Sequence, residues 1–331
     1  MKKEKMELEN TIKEAQKLLL YNKAEWEPRY KKYAHAFLKN ADCIKNIRSK
    51  FREFPPLRYY ISTTNAKNAR NKLLLDVRYR GQIVAILEAT QSNVTISTKS
   101  KVKENSLRDF TCDIELDNVD WKSAKAREFR RFFKNRENSR NNNQNKRNEE
   151  HSVESLLLSE FSKTSSKEKR MLGIQPVKMC GIRFGMPTPI SASDHRKPLR
   201  YAEQYGGGID IFARTGGGRH ATYLTVIEVK DENKPKEPPK DALKQAIQYA
   251  VFIRELLRSD CGEDWYKIFG FTGKIPQSLK IRVACAMPDN ILDKSFANTT
   301  YPIDSDTIEC HYIYFKYDGQ QLSDFQTSLE K

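Results

Sequence analysis

The stretch GGGIDIFARTGGGRHATYLTVIEVKDENK, from Gly206 to Lys234, sets two apolar runs on either side of a glycine-rich turn. Runs rich in β-branched and aromatic residues, separated by glycine, read as paired strands. Buried strands rarely carry charge, yet Asp210, Glu228 and Lys230 stand inside these two. Alternate residues of a strand share a face, so Leu224, Val226, Glu228 and Lys230 point one way and Ile227 and Val229 the other. Pairing across the TGGG turn then brings Asp210 to the same end of the sheet. A lone carboxylate in apolar company is costly, and two repel unless a cation lies between them.

A hard divalent ion resolves that conflict. Mg²⁺, with Mn²⁺ as its substitute, takes oxygen ligands from one or two carboxylates, waters and phosphate oxygens. A lysine two residues along the strand can orient or deprotonate a water on such an ion. The set therefore predicts metal-assisted attack on a phosphodiester. The plain alternative is a salt-bridge cluster at a sheet edge. Glu-x-Lys alone says little: Glu232-Asn-Lys234 repeats it in a polar loop, and Asp76 with Glu88 repeats the acids but has Thr90 where the lysine would stand.

At 331 residues the chain has room for about two domains. Residues 1 to 150 hold 34 Lys and Arg against 20 Asp and Glu, and the remainder 25 against 23, so nearly all of the +16 net charge lies in the first half. Such asymmetry predicts a polyanionic partner, nucleic acid first, for that half. The first fifty residues have helical spacing, and Leu57 to Leu116 reads as a β-meander. A basic amphipathic segment follows, with Lys122, Lys125, Arg127, Arg130, Arg131 and Lys134 interleaved with Trp121, Phe129, Phe132 and Phe133. These six basic residues are candidate substrate contacts. The polar tract from Glu137 to Glu150 cannot bury a core and reads as a linker.

The expected organisation is thus a basic helical and β-rich module over 1–135, a linker over 136–150 and a second domain over 151–331. In that second half the order helix, strand, strand, strand, helix, strand, strand predicts an α/β or α+β core around a central mixed sheet. QPVKMCGIRFGMPTPISAS is expected to hold one short strand. No apolar run approaches the ~20 residues of a membrane span, and the charged N-terminus is unlike a signal peptide, which predicts a soluble, cytoplasmic protein with no membrane partner. Six cysteines without a C-x-x-C pair argue against a zinc site or disulfide scaffold. Gly206–Gly208 and Gly216–Gly218 read as turn chemistry, and His195 and His220 have no evident partner.

Asp210 on one strand and Glu228-Val229-Lys230 on the next resemble the PD-(D/E)XK nuclease superfamily, with its restriction-endonuclease-like fold. Gln245-Ala-Ile-Gln-Tyr249, on the helix after, is similar to the Q-x-x-x-Y element of that superfamily's recombination-nuclease branch. Ile209 stands at the position of the eponymous proline. The resemblance covers roughly residues 150 to 318. It implies a metal-dependent nuclease that hydrolyses phosphodiester bonds, in DNA first, within restriction or phage defence among other settings. Asp210 and Glu228 would be the main metal ligands, the Val229 carbonyl a further ligand, and Lys230 the residue handling the attacking water. Glu154, placed on a buried helix face by Leu157, Leu158 and Phe161, matches the family's first acid and would support a second metal or position the first. Gln245 and Tyr249 would hold the substrate backbone. Coordinated cuts of two strands would need two active sites, which leaves a homodimer open. The other reading is a catalytically silent or restrained nuclease-like protein that binds nucleic acid, its N-terminal module recognising a trigger or partner.

Overall fold

The computed structural model describes residues 2–50, 54–65, 68, 72–98, 112–138, 150–162, 173–192, 198–203, 206–217, 221–235 and 237–329. His195, His220, Gly218 and residues 139–149 of the polar tract lie outside that range. Helices α1 (Lys2–Tyr21), α2 (Lys23–Lys39) and α3 (Ala41–Lys50) open the chain. At their junctions Asn22 and Asn40 each donate a side-chain amide to the carbonyl four residues back, at 2.8 Å. Such side-chain bonds compete with the helical ladder, which accounts for the two breaks.

Strands β1 (Arg58–Ile61), β2 (Lys72–Tyr79), β3 (Gln82–Thr90), β4 (Val94–Thr98) and β5 (Val119–Asp120) follow, then helices α4 (Ala124–Asn138) and α5 (Glu150–Glu160). Short strands come next: β6 (Gln175–Pro176), β7 (Lys178–Met179), β8 (Ile182–Phe184), β9 (Ile190–Ser191) and β10 (Arg200–Tyr201). The chain continues through β11 (Ile211–Gly216), β12 (Thr222–Val229), α6 (Pro239–Leu257), α7 (Gly262–Ile268) and β13 (Lys280–Pro288). It closes with β14 (Thr300–Ile303), β15 (Asp306–Tyr317) and β16 (Leu322–Thr327). The class is α+β with mixed sheets, as expected from the element order.

Two compact units result, and chain order does not separate them. The larger comprises Met1–Lys32, Val153–Val177 and Met186–Lys331, the smaller Tyr33–Ser152 and Lys178–Gly185. The division thus differs from a single linker over 136–150. The reason is strand pairing: β8 runs parallel to β1, with Tyr60 beside Arg183 and Ile61 beside Phe184, so a late segment joins the early sheet. QPVKMCGIRFGMPTPISAS accordingly holds four short strands where one was expected. Cys180 and Gly181 turn β7 into β8 with φ of 48° and 89°. That two-residue geometry usually advertises itself as Asn-Gly or Asp-Gly, and Cys-Gly does not.

In the smaller unit the sheet order is β5-β4-β3-β2-β1-β8-β7, and β1 to β4 form the expected meander. Ala126, Phe129 and Phe133 of α4 are buried, with Phe133 against Tyr79 at 4.9 Å and Trp121 edge-on to Tyr59 at 5.7 Å. Glu137 fastens the helix to the β2–β3 hairpin, accepting from Tyr79 Oη at 2.6 Å and from Arg80 at 3.0 and 2.7 Å. Asp76 and Glu88 hold structural contacts here. Asp76 accepts from Arg78 at 3.2 Å and Glu88 from Lys72 at 2.7 Å, and they face Ile86 and Leu74 rather than each other.

In the larger unit β12, β13 and β15 are parallel, β11 is antiparallel to β12, and the order is β14-β15-β13-β12-β11-β6 with β16 also on β15. Central parallel strands are buried on both faces, which explains the near-continuous apolar runs of β12 and β13. Helix α6 lies over them, and α1 packs on α6. No helix among the described residues is long and apolar enough to cross a membrane.

Asp306, 1% exposed, joins α6 to the sheet: it accepts from Arg254 Nε at 2.7 Å, Arg258 Nε at 2.9 Å and the Leu279 amide at 2.8 Å. Removing one partner of a buried ion pair strands the other charges. Asp306→Ala is expected to lower the unfolding free energy by about 3–5 kcal/mol in urea titration. Glu309 accepts from Lys280 and Arg282 at 2.9 Å and from His311 at 3.1 Å. Burial alone would raise its pKa, but those donors outweigh it and push it down to about 2. A depressed carboxylate stabilises the fold above its ordinary pKa of 4.5, and that contribution is lost as pH falls toward 2. Melting temperatures of wild type and Glu309→Gln, measured over this window, should converge with acidification.

Candidate active site

Register sets the charged end of the larger sheet. Ile211 pairs with Ile227, so Asp210, one residue earlier, meets the level of Glu228, one residue later. Asp210 Oδ2 accepts the Val229 amide at 2.9 Å. On the other side, Glu228 pairs with Cys285 and Val229 with Ala286, and the Lys230 amide donates to the Ala286 carbonyl at 2.9 Å. The β12 backbone is therefore held from both flanks where the charges occur.

Glu228 is 1% exposed and Lys230 is 7% exposed, and the lysine Nζ donates to Glu228 Oε1 at 2.8 Å. That bond offsets part of the cost of taking both charges out of water. Tyr249 of α6, fully buried, lies on the same side of the sheet. Burial raises its phenol pKa, and the negative charges of Glu228 and Asp210 raise it further, so the hydroxyl stays a neutral donor. Gln245 Nε2 reaches Tyr249 Oη at 3.5 Å, one helical turn away.

The loop before Asp210 is clamped. Thr188, completely buried, directs Oγ1 to the carbonyls of Ile190 and Gly207, both at 2.9 Å, and its amide donates to Gly207 at 2.8 Å. Pro187 bridges Gly208, and Tyr30 Oη donates to the Pro187 carbonyl at 2.7 Å. A Cβ on Gly207 would stand 1.8 Å from Tyr249 Oη. Gly206 and Gly207 are thus required by close packing rather than by turn chemistry, whereas Gly216 and Gly217, with φ of 81° and 102°, do make the β11–β12 turn. Sequence reasoning passed over Thr188 and the packing role of Gly207, since only three-dimensional proximity to Tyr249 exposes them.

Asp210, Glu228, Lys230, Gln245 and Tyr249 are thereby brought together. The donor set is oxygen-only and acidic, which fits a hard ion such as Mg²⁺ and not a soft one. Glu154 lies half-buried on α5, beside buried Val153, Leu157, Leu158 and Phe161. The same helix opens with Glu150, one turn earlier, which the sequence reading assigned to the polar tract. In the smaller unit Lys122, Lys125, Arg127, Arg131 and Lys134 are exposed, and among the described residues no carboxylate pairs with them. Arg130 is turned inward: its guanidinium sits 4.1 Å over the Trp121 ring and donates to the Trp121 carbonyl at 2.7 Å. No protein-family model, no curated protein and no solved structure matches this chain.

Gly207→Ala is expected to destabilise the protein by about 1–3 kcal/mol through overpacking. In a Tyr249→Ala background the same change should cost much less, and a double-mutant cycle by chemical denaturation measures that coupling.

Proposed function

We propose that this protein is a metal-dependent nuclease that hydrolyses phosphodiester bonds in DNA. The observation that carries the reading is the opposed pair Asp210 and Glu228, with Lys230 bonded to Glu228, at one end of the largely apolar strands of a mixed sheet. Apolar residues would stabilise that position at less cost, and an acid-acid-lysine set is suited to metal-assisted phosphodiester hydrolysis.

Asp210, Glu228 and the Val229 carbonyl would hold Mg²⁺, or Mn²⁺ in its place. The ion supplies Lewis acidity toward a phosphodiester oxygen. Glu154 of helix α5 would offer a further carboxylate. Lys230 orients the attacking water and offers positive charge to the oxygen that develops negative charge. Gln245 and the un-ionised Tyr249 hydroxyl donate to the substrate backbone. The exposed basic face of α4 supplies sequence-independent attraction to phosphates, with affinity falling as salt rises. A module that holds nucleic acid without cutting is the second reading, favoured by the Lys230–Glu228 bond, which already sets a cation beside the buried carboxylate.

The test incubates the purified protein with supercoiled plasmid, linear duplex and single-stranded DNA, in Mg²⁺, Mn²⁺ or EDTA. Cleavage is expected with either metal and none with EDTA. Asp210→Asn, Glu228→Gln and Lys230→Ala should each lower the rate by about 100-fold or more while retaining the wild-type circular dichroism spectrum. Glu154→Gln tests the further acid. Undiminished cutting by the Glu228 and Lys230 variants would sink the proposal, and salt-sensitive binding without cutting by wild type would hand it to the second reading.

A further inference from the structure

A small cleft opens in the smaller unit where the β3–β4 turn meets the start of α4. Ser92, Asn93, Val94, Asp120, Trp121 and Lys122 line it, and its volume is about 170 Å³. Pockets for whole small-molecule ligands span roughly 300–1,000 Å³, so this one suits a single ring system.

The walls are fixed before any ligand arrives. The Trp121 amide donates to the Val94 carbonyl at 2.9 Å, which ties the two sides together. The Trp121 ring is held by Arg130 at 4.1 Å on its face and by Tyr59 edge-on. Asn93 Oδ1 accepts the Val94 amide at 2.8 Å, which commits the oxygen inward and leaves the amide nitrogen as the donor. Asp120 Oδ1 accepts the Lys122 amide at 2.7 Å, which leaves the other oxygen as an acceptor. Ser92, Asn93, Asp120 and Lys122 are exposed, whereas Val94 and Trp121 are buried beneath them.

An apolar floor under a rim with one amide donor, one carboxylate, one hydroxyl and one ammonium selects a flat ligand with a polar edge. A bare phosphate would meet the Asp120 carboxylate, and an apolar ligand would leave four polar groups without water. We propose that the cleft takes one unstacked nucleobase, from a single-stranded or extruded position of a nucleic acid or from a free nucleotide. Asp120 accepts from the amino and imino groups that guanine presents side by side, and Asn93 or Lys122 donates to the adjoining ring carbonyl; cytosine and thymine each offer only one of those donors, which favours guanine. Extruding a base from a duplex breaks its stacking and pairing, so such a cleft selects strands in which a base is already unpaired. Lys122 lines the cleft and lies just before α4, next to that helix's exposed basic residues, so a strand tracked by Lys125, Arg127, Arg131 and Lys134 has a base within reach. This inference takes its nucleic-acid partner from the proposed function but needs neither metal nor cleavage.

The test therefore uses the full chain in EDTA. A short single strand carrying one 2-aminopurine, an adenine analogue that also presents an amino group to Asp120, is titrated, and dGMP, dCMP and TMP compete with it. The expected result is a change in 2-aminopurine fluorescence on binding, reversed by dGMP at lower concentration than by dCMP or TMP. Asp120→Asn and Asn93→Asp, which keep the oxygens that accept the Lys122 and Val94 amides, should each weaken mononucleotide binding about tenfold with an unchanged melting temperature. Arg131→Glu should weaken the strand but not the mononucleotides. Mononucleotides that bind while the strand does not compete would support the cleft and assign it to free nucleotides. The inference is overturned if the strand binds with no fluorescence change, or if the Asp120 and Asn93 variants bind mononucleotides as wild type does.

Discussion

Ile211 faces Ile227 across β11 and β12, and the antiparallel register this pair defines places every charge of the candidate site. A slip of one residue would move Glu228 and Lys230 to the opposite face of the sheet and carry Asp210 out of line with them. Two features resist such a slip. Gly216 and Gly217 close the turn in backbone conformations that favour glycine, and the Asp210 carboxylate caps the Val229 amide at 2.9 Å. One carboxylate oxygen thus fixes the strand that carries the second carboxylate.

The cost of that arrangement is borne by packing around it. Glu228 is buried, and the Lys230 ammonium at 2.8 Å offsets only part of the desolvation. The surrounding structure must then over-determine the geometry. Thr188 clamps the approach to Asp210, Tyr249 fills the space that a side chain at position 207 would need, and α6 is held against the sheet by Asp306 and its two arginines. The same helix that contributes Gln245 and Tyr249 is anchored at its far end, so the side chains at the site inherit the rigidity of the unit.

The smaller unit has a different logic. Its sheet is closed on one side by α4, whose Phe129 and Phe133 are buried while Arg127, Arg131 and Lys134 remain in solvent. Helical periodicity alone sorted these residues between core and solvent, with Arg130 as the exception. Arg130 falls between the two faces, and stacking on Trp121 drew it inward, since a guanidinium stem and plane can cover aromatic surface. The sheet itself is completed by β8, which lies far along the chain, beside β1.

Strand identity at β2, β3, β11, β12, β13 and β15, the helix of Gln245 and Tyr249, and the acid-acid-lysine set were all legible from residue alternation and turn residues, because those signals are local and repeat over several residues. The short strands β6 to β10 were not, since two or three residues carry no periodicity and Cys-Gly does not look like a hairpin turn. Nor was the interleaving of the units, because which distant strand completes a sheet edge depends on pairing energies that no local window contains. The sequence by itself determined which residues are charged within apolar strands and how they alternate. Only the tertiary structure decided that Asp210 bonds the Val229 amide, that Gly207 exists to admit Tyr249, and that Trp121, Asn93 and Asp120 wall one cleft, because each depends on atoms that meet only after the chain has folded back on itself.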